Sequence, residues 1–162
     1  YVKPILNSIR RYKYPALRVH CDSVVEPGPQ HSGPDSKRSM TFTARWLFVV
    51  NLPRYAAGLR LVPQAVGTDG LLDVCGFERG SLIDGFRYLN GIVQGRHLTW
   101  PDCHYVQATK VRIESEGDVP YQLDGDPGGI LPLEITVLPK RVSLIATESW
   151  ALHRGFRHGG DS

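Results

Sequence analysis

No apolar run in this chain approaches the ~20 residues that a transmembrane helix requires; the longest candidate, Trp46 to Val50, is the size of a strand. Cysteine is scarce. Cys21, Cys75 and Cys103 are odd in number and widely spaced, which argues against a disulfide framework and for free thiols in a reducing cytoplasm. The six histidines show no ligand spacing among themselves or with the cysteines, and no Cys-x-x-Cys or His-x-x-x-His pair is present, so nothing points to zinc. There is no Gly-x-Ser-x-Gly elbow for a hydrolase. A P-loop, a dinucleotide fingerprint and any alternating βαβ pattern are equally lacking, so no glycine loop is available to cradle a nucleotide. No basic-then-apolar leader precedes Tyr1-Val2-Lys3-Pro4, and that opening gives the expectation of a fragment.

Charge of one sign is also in short supply. A formal net charge of +3 is too small to mark a nucleic-acid binder; it fits a visitor to an anionic membrane without arguing for one. The tail His153-Arg154-Gly155-Phe156-Arg157-His158-Gly159-Gly160 carries a single RGG-like copy, and residues 151–162 are expected to form a flexible basic end.

What is abundant is punctuation. Seventeen glycines and 12 prolines separate short β-branched runs, which favours many short strands over a few long helices. At 162 residues the chain is one domain of ordinary size, here placed at residues 1–150. Val2, Ile5, Leu6 and Ile9 predict a helix ending near Tyr14-Pro15. Strands follow over Ala16–His20, Thr41–Val50 (its end buried on both faces), Leu72–Phe77, Tyr105–Glu114 with a bulge near Thr109-Lys110, Pro120–Leu123, Leu133–Val137 and Val142–Ala146. Glu26 to Ser39 reads as a long solvated loop, and Asn51 to Gly70 as irregular. Ser81 to Val93 predicts a second helix, capped by Ser81, with Leu82, Phe86, Leu89 and Val93 on its core-facing side. The expected architecture is therefore mainly β, a two-layer β-sandwich with two accessory helices.

Two segments offer oxygen-rich chemistry. In Leu123-Asp124-Gly125-Asp126-Pro127-Gly128-Gly129, two carboxylates straddle a glycine. They would point to one side if strand geometry persisted, and could then act as general base and proton or metal partner. Asp-Gly is equally the commonest hairpin turn, so the pair also reads as a plain turn. Pro63 to Val74 carries a second Asp-Gly leading into a strand; Asp69 with nearby carbonyls suits a hard cation such as Mg²⁺, or again only a turn.

Order and spacing add to these pieces. Val50-Asn51 closes a strand, Tyr55-Ala56-Ala57-Gly58 makes a small-residue loop, and Pro63-Gln64-Ala65 precedes Asp69-Gly70-Leu71-Leu72-Asp73. Gly95-Arg96-His97 follows the helix, then come Asp124-Gly125-Asp126 and Leu138-Pro139. From about Phe48 to Ile145 this series resembles the C-terminal lobe of the diacylglycerol kinase catalytic domain family, which includes bacterial lipid kinases, sphingosine kinases and ceramide kinases; Tyr1 to Val19 is similar to the family's lead-in.

The resemblance implies the C-terminal domain of the NAD kinase/diacylglycerol kinase-like fold and an ATP-dependent phosphoryl transfer to a lipid hydroxyl, of diacylglycerol or a sphingoid base. It makes Asp124 the general base and puts Asp126 at a glutamate position, one methylene shorter. Asn51, Gly58 and Gly125 fall at the substrate cleft. Asp69, with the backbone oxygens of Val66 and Leu71, matches a structural Mg²⁺ site. Ala56-Ala57-Gly58 replaces a glycine run, which restricts φ > 0 conformations. ATP would be a co-substrate held mainly by an N-terminal nucleotide-binding lobe carrying Gly-Gly-Asp-Gly-Thr, a motif this chain lacks, so the chain alone is expected to be inactive. The implied partners are that lobe, the lipid substrate and a membrane surface, not nucleic acid, with a homodimer admitted and a cytoplasmic, membrane-peripheral location. The competing reading is a non-catalytic β-sandwich module that binds lipid or carbohydrate.

Overall fold

Leu17, Val19 and Cys21 are buried while Arg18 and Asp22 are exposed, so the alternation written in this segment becomes the first strand, β1 (Leu17–Asp22). The computed structural model describes residues 13–24, 38–54, 58–139 and 141. The expected opening helix, Tyr55 to Ala57, most of the Glu26 to Ser39 loop, the expected strand at Val142–Ala146 and the basic tail lie outside the described residues. After β1 come β2 (Met40–Ala44), β3 (Trp46–Val50), β4 (Leu72–Phe77), helix α1 (Leu82–Gln94) and a 3₁₀ turn at His97–Thr99. The chain continues through β5 (Cys103–Ala108), β6 (Lys110–Ser115), β7 (Pro120–Leu123), β8 (Asp126–Ile130) and β9 (Leu133–Thr136).

The strands form two antiparallel sheets, ordered β2-β1-β6-β9 and β3-β4-β5, plus a separate β7-β8 hairpin. One core fills the space between the sheets: Val19, Cys21, Phe42 and Val111 from the first meet Leu72, Val74 and Val106 from the second. The second core lies on the far face of β3-β4-β5, where Cys75 and Phe77 pack against Tyr88 and Ile92 of α1 and against Leu61, Val62 and Ala65. The mainly β sandwich is as expected. Among the described residues there is one α-helix, covering one sheet.

Three expectations are corrected. Thr41 to Val50 is not one strand: the chain turns at Arg45, so that β2 joins the first sheet and β3 the second. Arg45 fixes this corner by donating from Nη1 to the Tyr14 carbonyl, while its own N–H donates to the Phe77 carbonyl at 2.7 Å. The irregularity at Thr109-Lys110 is likewise a change of sheet, between β5 and β6, and not a bulge. The strand buried on both faces is β4; β3, at a sheet edge among the described residues, is half-buried throughout.

Helix α1 starts as predicted. Ser81 Oγ accepts from the Asp84 N–H at 3.1 Å and donates to Asp84 Oδ2 at 2.6 Å, and Gly95 ends the helix at φ +69°. Its core-facing side is a fourth correction. Tyr88, Gly91 and Ile92 are buried, whereas Phe86, Leu89 and Val93 are exposed. Glycines let two indoles come close: a Cβ on Gly85 would stand 2.9 Å from Trp46 Cζ2, and one on Gly91 would run into the Trp100 ring.

The middle of the helix is clamped by Asp102, which is buried. Arg87 donates to both its oxygens, at 2.6 and 3.0 Å, and lies over Trp100 with its guanidinium carbon 4.2 Å from the ring centre. Tyr88 OH donates to Oδ2 at 2.9 Å. The Arg87 bonds hold the Asp102 carboxyl down at about 2, and burial pushes the Tyr88 phenol up to about 12.

Two outcomes are expected. Gly91→Ala gains about 0.5–1 kcal/mol of helix propensity but must displace Trp100, an overpacking cost of about 1–3 kcal/mol, so thermal melting will show net destabilisation. Because the folded Asp102 carboxyl lies below its unfolded value of about 3.9, its contribution is present above that pH and is lost as pH falls through about 2. Stability measured against pH from 6 to 2 will fall more steeply for the wild type than for Asp102→Asn.

Candidate functional site

Side chains alternate along each strand, so β3, β4 and β5 present one shared face to α1: Trp46, Phe48 and Val50; Asp73, Cys75 and Phe77; Cys103, Tyr105 and Gln107. The register makes this face apolar at one end and polar at the other. Trp46, Phe77 and Cys103 align in one row and Val50, Asp73 and Gln107 in another.

At the apolar end lies a pocket of about 330 Å³, walled by Trp46, Phe48, Leu59, Leu61, Phe77 and the α1 residues Leu82, Gly85, Phe86, Tyr88, Leu89 and Ile92. No charged side chain lines it. The Trp46 indole Nε1 is buried without an acceptor. His97, fully buried, holds the Leu59-Leu61 wall in place: its Nε2 donates to the Leu61 carbonyl at 2.6 Å. The Gly95-Arg96-His97 element thus has a structural part in the pocket, while the opposite ring nitrogen, Nδ1, is buried without a partner.

At the polar end Asp73 is fully buried. Its Oδ1 accepts from Tyr105 OH at 2.6 Å and Gln107 Nε2 at 3.1 Å, and its Oδ2 has no partner. Burial raises the Asp73 carboxyl and the Tyr105 phenol above their usual ranges, and Gln64 bonds to Tyr105 from the adjoining loop. The composition of β4 carried the signal for this cluster: one carboxylate inside an otherwise apolar six-residue strand.

The Asp69 turn adjoins this end, near enough for its charge to act on Asp73. Asp69 Oδ1 accepts from the Leu71 N–H at 2.9 Å, and the Asp69 N–H donates to the Val66 carbonyl at 3.3 Å. Gly70, at φ +77°, makes the reversal and sits 4.0 Å from Pro139 by its would-be Cβ. Asp69, Val66 and Leu71 are thus drawn into one turn. Their donors, one carboxylate and two backbone carbonyls, are the hard oxygens that Mg²⁺ takes, and Asp69 Oδ1 and the Val66 carbonyl already bond within the turn. Among the described residues no group of three or more His, Cys, Asp or Glu side chains is placed to hold a metal. Asn51, exposed, follows Val50, whose partner across the sheet is Asp73. Gly58 is exposed at φ +78° beside the pocket residue Leu59.

Asp124 and Asp126 sit on the β7-β8 hairpin. Strand geometry does not persist through the pair: Asp124 at φ +50° and Gly125 at φ +100° form the two-residue tip, closed by Leu123 opposite Asp126. Both carboxylates are exposed, and neither makes a hydrogen bond or ion pair among the described residues. No such bond links them to the Asp69 turn.

The cysteines are free, as expected. Cys75 and Cys103, distant in sequence, lie with their sulfurs 3.8 Å apart between β4 and β5.

The sequence matches the YegS C-terminal NAD kinase beta sandwich-like domain family over residues 1–146. It is 26% identical over 100 residues to a protein named diacylglycerol kinase from Bacillus subtilis (strain 168), covering 61% of this chain and 33% of that one. It is 30% identical over 95 residues to another so named from Mycobacterium tuberculosis (strain ATCC 25618 / H37Rv), covering 59% and 30%. The chain therefore spans about a third of the length of the curated relatives it matches. A solved structure from Bacillus anthracis str. Sterne, provisionally assigned as a diacylglycerol kinase, superposes with a TM-score of 0.55 at 19% identity, over 83% of this chain and 41% of that one; the likeness is one of fold. With nine-tenths of its length matched and the sandwich in place, this chain belongs to the YegS C-terminal NAD kinase beta sandwich-like domain family.

Proposed function

We propose that this chain is the C-terminal lobe of an ATP-dependent lipid kinase that transfers a phosphoryl group to the hydroxyl of diacylglycerol or a related lipid alcohol, working at the membrane surface. The observation that carries the reading is the apolar pocket at one end of a sheet face whose other end is polar. Phe48 lines the pocket, and Asn51, just past the end of β3, is about 10 Å away at strand rise. An amphiphile lying along β3 would bury its chain among Trp46, Phe77 and Leu89 and leave its hydroxyl at the Asn51 end. Burying a chain there offsets the ~0.8 kcal/mol per methylene that leaving a bilayer for water would cost, so a lipid can exchange between bilayer and pocket.

In this reading Asp124 accepts the hydroxyl proton, and its place on an exposed hairpin tip suits a base that meets its substrate only in the assembled cleft. Asp126 supports it with a shorter reach than glutamate would have. Gly58 and Gly125, both at positive φ, shape the backbone lining the cleft. A Mg²⁺ ion held by the Asp69 carboxylate with the Val66 and Leu71 carbonyls would brace the turn beside Asp73. ATP would be held by an N-terminal nucleotide-binding lobe, so the lobe described here is inactive by itself.

The test is ATP-dependent phosphorylation of a panel of lipid alcohols by the full-length protein, wild type and Asp124→Asn. Loss of about 10²-fold or more in the variant, with unchanged circular dichroism, is the expected outcome. If no lipid alcohol is phosphorylated while acyl chains still bind, the domain is a lipid-binding module and the kinase reading fails.

A further inference from the structure

Helix α1 is apolar on two sides. Its inward side, Tyr88, Gly91 and Ile92, is buried against the sheet. A second stripe, Phe86, Leu89 and Val93, runs up the neighbouring side at spacings of three and four residues, and Ile83 stands beside it. These side chains are 71%, 45%, 67% and 81% exposed. A soluble helix normally turns charge to water there, so four large apolar groups in one exposed row need a partner. The stripe is continuous with the pocket, because Phe86 and Leu89 belong to both.

The surrounding charge says which partner. The described segments that frame the pocket, 46–54, 58–62 and 82–101, carry Arg54, Arg60, Arg87 and Arg96 against one carboxylate, Asp84. Of these, Arg54, Arg60 and Arg96 are exposed and form no ion pair among the described residues. Of the other nearby acids, Asp102 is paired with Arg87 and Arg79, and Glu78 with His104.

We propose that the Ile83, Phe86, Leu89 and Val93 stripe, with Arg60 and Arg96 at its margins, docks this domain on an anionic lipid bilayer, so that the pocket opens directly into the acyl region. The inference rests on the lipid reading of the pocket and names its docking surface. Interfacial helices of this kind seat an apolar row at the headgroup–acyl boundary and hold anionic headgroups with flanking cations. Depth of insertion then brings the pocket lip below the headgroups, and a lipid passes from bilayer to pocket without its chain crossing water. A second copy is a poorer match, since a two-fold pairing of this surface would set the same arginines against one another.

The experiment is flotation of the full chain with vesicles of phosphatidylcholine and phosphatidylserine in equal parts, and of phosphatidylcholine alone, both free of any lipid alcohol. Ile83→Ser/Val93→Ser changes two exposed positions that do not line the pocket; it should lower partitioning to both vesicle types by about tenfold or more, with an unchanged melting temperature. Arg60→Gln/Arg96→Gln should leave binding to phosphatidylcholine alone unchanged and weaken binding to the anionic vesicles by about fivefold per arginine. Undiminished flotation of Ile83→Ser/Val93→Ser overturns the proposal, as does light scattering that shows a dimer dissociating in that variant while flotation is unchanged. Because the vesicles hold no phosphorylatable lipid, this readout is independent of phosphoryl transfer, and a protein that floats as expected yet phosphorylates nothing defeats the kinase reading alone.

Discussion

Strand β4 carries two cores on one backbone. Leu72 and Val74 face the other sheet, Cys75 and Phe77 face α1, and Gly76 is tight against Phe42, where a Cβ would stand 2.6 Å from Cε2. All six residues are buried, so the strand tolerates neither a slip of register nor a larger side chain at Gly76. The pocket wall and the sandwich interior are therefore two sides of the same strand. The two sheet changes, at Arg45 and Thr109, follow from this arrangement, since each hands the chain from one layer to the other beside β4.

The face shared by β3, β4 and β5 is polarised along its length. Its apolar end is closed by the helix, and its polar end holds Asp73 with one oxygen bonded twice and the other bonded to nothing. A buried carboxylate oxygen without a partner costs about 1–3 kcal/mol. This cost at one end of the sheet and an apolar pocket at the other suit the amphiphilic ligand proposed above. The Asp69 turn and Asn51 stand at the polar end, where the proposed lipid reading puts the headgroup.

Much of this was legible in the sequence. Period-two alternation located β1, the buried run Leu72–Phe77 located β4, and Ser81 with Asp84 located the start of α1. The Asp-Gly pairs at 69–70 and 124–125 were turns, as their chemistry allowed, and the order of motifs pointed to the right family. Sheet changes were not legible, because a one-residue corner leaves the apolar pattern on both sides intact; Thr41 to Val50 and Tyr105 to Glu114 each read as one strand. The helix face was misassigned for a different reason. Periodicity reports which residues are apolar together, and here the most regular stripe faces outward, while the buried side depends on glycines whose role appears only when Trp46 and Trp100 arrive from elsewhere. The pocket, the Asp73 cluster and the Asp102 clamp join residues tens of positions apart, and no local spacing encodes them.

The glycines at 85 and 91 also affect the order in which the molecule comes apart. Each weakens the helix interior by about 0.5–1 kcal/mol relative to alanine, in a segment of 13 residues that is marginal by itself. α1 is thus held by its seats against the two indoles and by the Asp102 clamp, not by its own propensity. The strands behind it are locked by ladders on both sides of β4. Opening of the helix is accordingly easier than opening of the β4 ladders, a local event that leaves the sandwich intact. Its backbone amides would exchange with solvent well before those of β4, and the same fluctuation widens the pocket from the side that faces the exposed stripe. Access to the pocket is then a matter of breathing, with a rate that any surface gripping α1 will change.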